Sequence, residues 1–169
     1  MGRKNGNMRP LRFFAGLGFV SLAFSLIGAT PRPQSPGHHT NASHLVIIRM
    51  DLDFRPHKRS TFGRIQGYDP AEVHVHMGDK IQWVNPDDQM HTATGMSYTG
   101  QTAPTSYKFQ GDFTKPHGRI INASEWSTGN VRAHGGKSPV FVAKRVGHYF
   151  YACGYHLGSG QIAVIVVGP

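Results

Sequence analysis

Tyr149-Phe150-Tyr151-Ala152-Cys153-Gly154-Tyr155-His156-Leu157-Gly158-Ser159-Gly160-Gln161 is followed directly by Ile162-Ala163-Val164-Ile165-Val166-Val167. Two β-branched and aromatic runs flank a glycine-bearing loop, the pattern of two strands joined by a functional turn. On the first run, period-two alternation puts Tyr149, Tyr151 and Cys153 on one face. Cys153 is the only cysteine in the chain. With His156 and Gln161 it places a thiolate, an imidazole and an amide within nine residues. Spacing C-x2-H cannot lie along a straight strand, so the chain must turn after Cys153, and Gly154, Gly158 and Gly160 offer the backbone freedom for it.

Those three donors need a fourth. The upstream segment Trp83-Val84-Asn85-Pro86-Asp87-Asp88-Gln89-Met90-His91-Thr92 supplies His91. A thiolate with two imidazoles in a trigonal plane and a weak axial donor is the set preferred by electron-transfer copper, because it suits both Cu(I) and Cu(II). Met90 and Met96, close to His91, offer sulfur as alternatives to the Gln161 amide. Zinc could occupy the same donors without redox activity.

The segment resembles the copper loop of plastocyanin- and amicyanin-type cupredoxins, with its Y-x-[FY]-x-C-x-x-H order and glycine-rich return. The resemblance extends over Val75 to Thr94, where a strand, a Gly-Asp turn, Trp83-Val84-Asn85 and His91-Thr92 are similar to the family's first-histidine segment. It implies a Greek-key β-sandwich holding one copper per chain, with His91, Cys153 and His156 as equatorial ligands. Gln161 would fill the axial slot where the family usually has methionine, as in stellacyanin, and its harder oxygen implies a lower reduction potential. Phytocyanins proper are a poor match, since one cysteine cannot form their additional disulfide.

Elsewhere the pattern is β. His44–Met50 is apolar and β-branched, and Val73, Val75 and Met77 alternate toward one face. Gly78-Asp79 reads as a turn into Lys80–Asn85, with Ile81 and Trp83 on one face. The two segments are expected as a hairpin or as neighbours in one sheet. Residues after 30 show no sustained helical period. The stretch from about 97 to 139 is polar and glycine-bearing, an insertion between the first-histidine strand and the copper-loop strand. Within it a strand is expected near Ser106–Gln110 and a helical turn near Ala123–Trp126.

The 169-residue chain is 38% apolar and 16% charged, which suits one globular domain plus accessories. Arg3, Lys4, Arg9 and Arg12, the apolar run Phe13–Ala29 and then Thr30-Pro31-Arg32-Pro33 follow the order of a secretory signal over residues 1–29, an uncleaved membrane anchor being the alternative. Residues 30–43 read as a flexible tether, and 44–169 as the domain. Export to a periplasm or the extracellular space is expected. A lone cysteine surviving in such an oxidising compartment suits a metal-bound thiolate.

The formal net charge is +9, and the chain stays basic once the signal is removed. Its cations are scattered without aromatic interleaving, which disfavours nucleic acid and favours an acidic redox partner met by a monomer. His74 and His76, two apart on a strand, are expected to face solvent. Asn41-Ala42-Ser43 and Asn122-Ala123-Ser124 match the glycosylation triplet, which recurs by chance. No nucleophile–base pair or phosphate loop is present. An electron carrier is therefore the leading expectation, ahead of a copper storage or delivery protein and of a small-molecule redox enzyme with an open copper position.

Overall fold

The computed structural model describes residues 43–169. The expected signal over 1–29, and the tether over 30–43 save its last residue, lie outside the described residues. Twelve strands follow in order: β1 (Leu45–Met50), β2 (Tyr68–Asp69), β3 (Glu72–His76), β4 (Lys80–Asn85), β5 (Thr94–Gly95), β6 (Pro116–His117), β7 (Ile120–Ile121), β8 (Ser127–Thr128), β9 (Gly136–Lys137), β10 (Phe141–Ala143), β11 (Gly147–Ala152) and β12 (Ile162–Gly168). The only helical element among the described residues is a 3-10 turn, Leu157–Ser159. The all-β expectation holds.

The strands form two mixed six-stranded sheets. One runs β2-β1-β4-β10-β7 with β9 added to β4, and the other β3-β12-β11-β5-β8-β6. Aromatic rings from both sheets meet between them. Trp83 of β4 packs against Phe141 of β10, Tyr151 of β11 and Trp126, which precedes β8, and Trp126 also packs against Phe141 and Tyr151, with ring centroids 5.1–6.0 Å apart. All four side chains are buried. Offset and edge-on ring pairs of this kind add about 0.5–1.5 kcal/mol each beyond the area they bury. Gly95 lies against this cluster, and a methyl group there would collide with the Trp126 indole.

β3 and β4 do not form a hairpin and do not share a sheet. Each is captured by a parallel partner, β3 by β12 and β4 by β1, over five residue pairs apiece. Gly78, at φ +97°, turns the chain from one sheet to the other. Asp79 holds the crossing, since its two carboxylate oxygens accept the backbone N–H groups of His44 and His76, each at 2.8 Å. Val73 and Val75 thus meet Ile81 and Trp83 from opposite walls of the core. Met77, expected on the inward face, has left the strand at the turn and is 49% exposed.

Two expectations within the insertion fail. Residues 106–110 form no strand, and 123–126 form bends instead of a helical turn. The Glu125 carboxylate explains both, because it accepts the N–H groups of Gln110 and Gly111 and ties the two segments together as irregular loop. β11 is buried on both faces, unlike a strand with one solvated side. Its outward Phe150 is covered by Phe62 and Tyr98, with centroids at 6.0 and 5.8 Å.

Hydrogen bonds from the backbone of His76 hold the Asp79 carboxyl below its usual range, against the smaller cost of burial. A depressed folded pKa means that this stabilisation is present above the unfolded value near 4 and is lost as pH falls through the folded value. Asp79→Asn should destabilise the protein by about 1.5–3 kcal/mol at neutral pH, the range for hydrogen bonds to a charged group. Urea unfolding from pH 3 to 7 should show a smaller loss of stability toward acid for the variant than for the parent.

Candidate metal centre

β11 and β12 pair in antiparallel register up to Ala152 and Ile162, so residues 153–161 form the loop that joins them. Cys153 N–H donates to the Gln161 carbonyl at 3.2 Å and closes the loop's base. The Cys153 carbonyl accepts from His156 and Leu157, and the His156 carbonyl from Ser159 and Gln161. These bonds wind the chain into the 3-10 turn and fold His156 back over Cys153. Of the three loop glycines only Gly160, at φ +85°, occupies the left-handed region. Gly154 serves close packing instead, since any side chain there would strike the Phe113 ring.

His91 arrives from the other loop. Its backbone exchanges two hydrogen bonds with Val131 of the insertion, at 3.3 and 2.8 Å. Asn85 shapes the approach through Nδ2 bonds to the carbonyls of Gln89 (2.7 Å) and Val131 (2.9 Å). The ring is set by Asp87, whose Oδ2 lies 2.9 Å from His91 Nε2. A carboxylate can only accept here, so Nε2 carries the proton and Nδ1 presents its lone pair.

His91 Nδ1, Cys153 Sγ and His156 Nδ1 converge. The nitrogens are 3.1 Å apart, and the sulfur lies 3.8 Å from His91 and 3.5 Å from His156. A point equidistant from the three is about 2 Å from each, the length of a transition-metal bond to imidazole and a few tenths short of one to thiolate. Two imidazole nitrogens this close share at most one proton, whereas a cation between them satisfies both lone pairs. His91 and Cys153 are fully buried, and His156 is partly exposed.

Gln161 lies beside this triangle, fully buried. Its Nε2 donates to the Gly67 carbonyl at 2.9 Å, while Oε1 makes no hydrogen bond of good geometry, although the Gln161 side chain is near enough to His156 to favour that ring's charged form. A buried carbonyl-type oxygen without a donor costs about 1–3 kcal/mol, which an ion would offset. Among the axial alternatives, Met90 is 42% exposed and Met96 packs into the apolar core. Gly67, at φ +78°, is indispensable to this arrangement, because a β-carbon there would stand 2.5 Å from Gln161 Cγ.

The surroundings favour the charges a metal site needs. Burial alone would push the Cys153 thiol up, but the adjoining His91 ring and the N–H groups of Thr92, Tyr155 and His156 outweigh it and bring the thiol below its usual value. Thr92 N–H lies 3.4 Å from the sulfur, and Thr92 Oγ1 accepts the Gly154 N–H at 2.9 Å, so one residue orients both ligand and loop. Burial would also raise the Asp87 carboxyl, yet bonds from His91, Leu52 and Asp88 hold it well below the carboxylate range. His156 is lowered, first by burial and then by the neighbouring His91.

Asp87, Thr92, Asn85, Gly67 and Val131 were not singled out as site residues by sequence. Only Asp87 carries a local signal, four residues before His91. The contacts that give the others their part span 40 to 94 residues of chain, a separation that a linear pattern cannot reveal. His74 and His76 are exposed and pair with Glu72 and Asp79 respectively, away from the triangle.

No family model matches the sequence, and no curated protein sequence matches it. Among solved structures the chain is similar to a Sinorhizobium pseudoazurin, at 21% identity and TM-score 0.41 over 75% of each chain. It is also similar to a purple cupredoxin from Nitrosopumilus maritimus, at 14% identity and TM-score 0.44 over 72% of this chain and 98% of that one. A third is an amicyanin variant with glutamine in place of a methionine, in its Cu(I) form, at 13% identity and TM-score 0.42 over 73% and 82%. The three side chains that the structure brings within reach of one ion are His91, Cys153 and His156.

Asp87→Ala leaves the His91 Nε2–H buried without an acceptor and frees the ring to rotate. It should weaken metal binding about 10- to 100-fold, the usual cost of losing such a partner. Competition titration against a chromophoric chelator checks this.

Proposed function

We propose that this chain is an exported mononuclear type 1 copper protein of cupredoxin type that carries single electrons between protein partners. The observation that carries the reading is the triangle of His91 Nδ1, Cys153 Sγ and His156 Nδ1, with all three atoms within 3.8 Å and the orphaned Gln161 oxygen beside it. Two imidazoles, one thiolate and a weak axial oxygen match the donor preference of electron-transfer copper. Copper held here supplies one-electron chemistry by alternating between Cu(I) and Cu(II).

The chain's own residues do the rest. Asp87 and Val131 fix His91, the β11–β12 closure fixes Cys153, and the 3-10 turn fixes His156. Preorganisation of this kind minimises rearrangement between oxidation states, which suits fast transfer. Burial of His91, Cys153 and Gln161 keeps water from the donors. His156, the one ligand of the three that reaches solvent, is the natural contact for a partner.

Delivery or storage of copper fits less well, because metal handed to another protein needs accessible donors, and the thiolate here is enclosed. An enzyme with an open copper position would require Gln161 to leave, yet its amide is tied to the Gly67 carbonyl. Residues 1–29 as an export signal place the protein in a periplasm or outside the cell. The basic charge selects an acidic partner, met through a small, rapidly dissociating interface.

The test is to add one equivalent of Cu(II) and record visible absorption and EPR spectra. An intense thiolate-to-copper charge-transfer band is expected, and weak ligand-field bands with an ordinary tetragonal EPR signal would overturn the reading. Cys153→Ser should abolish the band while the near-UV signature of the packed aromatic core persists. Gln161→Met should raise the reduction potential measured by voltammetry; an unchanged potential would remove Gln161 from the axial position.

A further inference from the structure

Among the described residues, the exposed loop between β1 and β2 gathers a dense run of basic side chains. Arg55, His57, Lys58, Arg59 and Arg64 fall within ten residues that contain no Asp or Glu. All five are exposed, and none forms an ion pair among the described residues. Arg55 donates only to the carbonyls of Leu52 and Phe54, which leaves its charge uncompensated. Glu72 on β3 is occupied by Ser60 Oγ and His74, and Asp51 and Asp53 stand at the start of the same loop, on its Arg55 side, without an ion pair to it. The loop lines a cleft of about 550 Å³ that runs from Arg55 to Gln66.

This loop is joined to the metal-site loop. Arg64 Nε donates to Gln66 Oε1 at 3.1 Å, and Gln66 Nε2 donates to the Ser159 carbonyl at 3.2 Å. Arg64 also lines a second cleft, of about 410 Å³, together with Leu157–Gly160 and with Ala103–Thr105 of the insertion. The opposite flank of the metal loop is taken by the insertion. There Phe113 packs edge-on against Tyr155 at 5.2 Å, and Asn130 accepts the Tyr155 hydroxyl at 2.8 Å. The metal loop is thus bordered by Phe113 and Asn130 on its Tyr155 side and by the basic loop, with Ala103–Thr105, on its Leu157–Gly160 side.

We propose that loop 55–64, together with Leu157–Gly160, is the docking face for an acidic surface of a partner protein, aligning that partner with His156. The proposal rests on the electron-carrier reading for its purpose, and on charge and continuity for its location. Unpaired exposed cations steer an oppositely charged partner and set orientation more than they add affinity, and they act over about 10 Å at 0.1 M salt. The other basic residues, such as Lys137, Lys144 and Arg145, lie on different elements, and Lys115 is paired with Asp112.

The experiment is an amide-resolved NMR titration of the copper-free and Cu(I) protein with hexaglutamate, and separately with inorganic phosphate, at low ionic strength. Hexaglutamate should shift the amides of residues 55–66 and 157–160 in both forms. Reversing two charges, in Lys58→Glu with Arg59→Glu, should weaken its binding about tenfold. Both side chains are exposed, and retained shift dispersion reports that the variant is folded. Shifts centred on Lys137, Lys144 and Arg145, or unchanged binding to the variant, would overturn the proposal. So would phosphate saturating the same amides at equal or lower concentration, which would make the cleft a small-anion site. Because binding is read without Cu(II), absence of the charge-transfer band would sink the electron-carrier reading and leave this measurement intact.

Discussion

The convergence of two imidazole nitrogens and one thiolate sulfur within 3.8 Å is the constraint on which the other features depend. Such a triangle is unfavourable without a cation, since lone pairs and partial negative charge face one another away from water. The protein holds it by over-determining each donor. β11 and β12 lock Cys153 through the loop closure, Val131 and Asp87 lock His91, and the turn carbonyls lock His156.

Rigidity of the donors comes from the aromatic layer beneath them. Tyr151 lies two residues before Cys153 and packs against Trp83, Trp126 and Tyr68, so the strand that bears the thiolate is seated on the core of both sheets. Tyr68 in turn donates its hydroxyl to the Thr92 carbonyl at 2.6 Å, connecting the core to the residue that follows His91. Close-packed interiors resist small displacements, so a shift at the site would have to be shared by these rings. The site and the fold are in this sense one packing problem.

The insertion has a structural share in the site. It supplies the backbone partner of His91 at Val131, the ring that abuts Gly154 and clamps Tyr155 at Phe113, and the Trp126 that fills the core between the sheets. Polar, aperiodic sequence is what such a segment shows. Its contacts are made one residue at a time to other elements, with no face of its own to bury.

The sequence by itself determined the all-β class and pointed to His91, Cys153 and His156, which the fold brings together, because alternation and donor chemistry are local properties of Tyr149–Gln161 and of the segment ending at His91. Local reading failed wherever a distant partner decided the outcome. β3 and β4 look like a hairpin until β12 and β1 claim them as parallel partners, and 106–110 looks like a strand until Glu125 binds its end. Only the tertiary structure decided that Asp87 orients His91, that Gly67 anchors Gln161, and that the basic loop reaches the Leu157–Gly160 side of the loop bearing Cys153 and His156. Each is a contact between segments that the chain brings together only on folding, where geometry rather than residue type selects the partner.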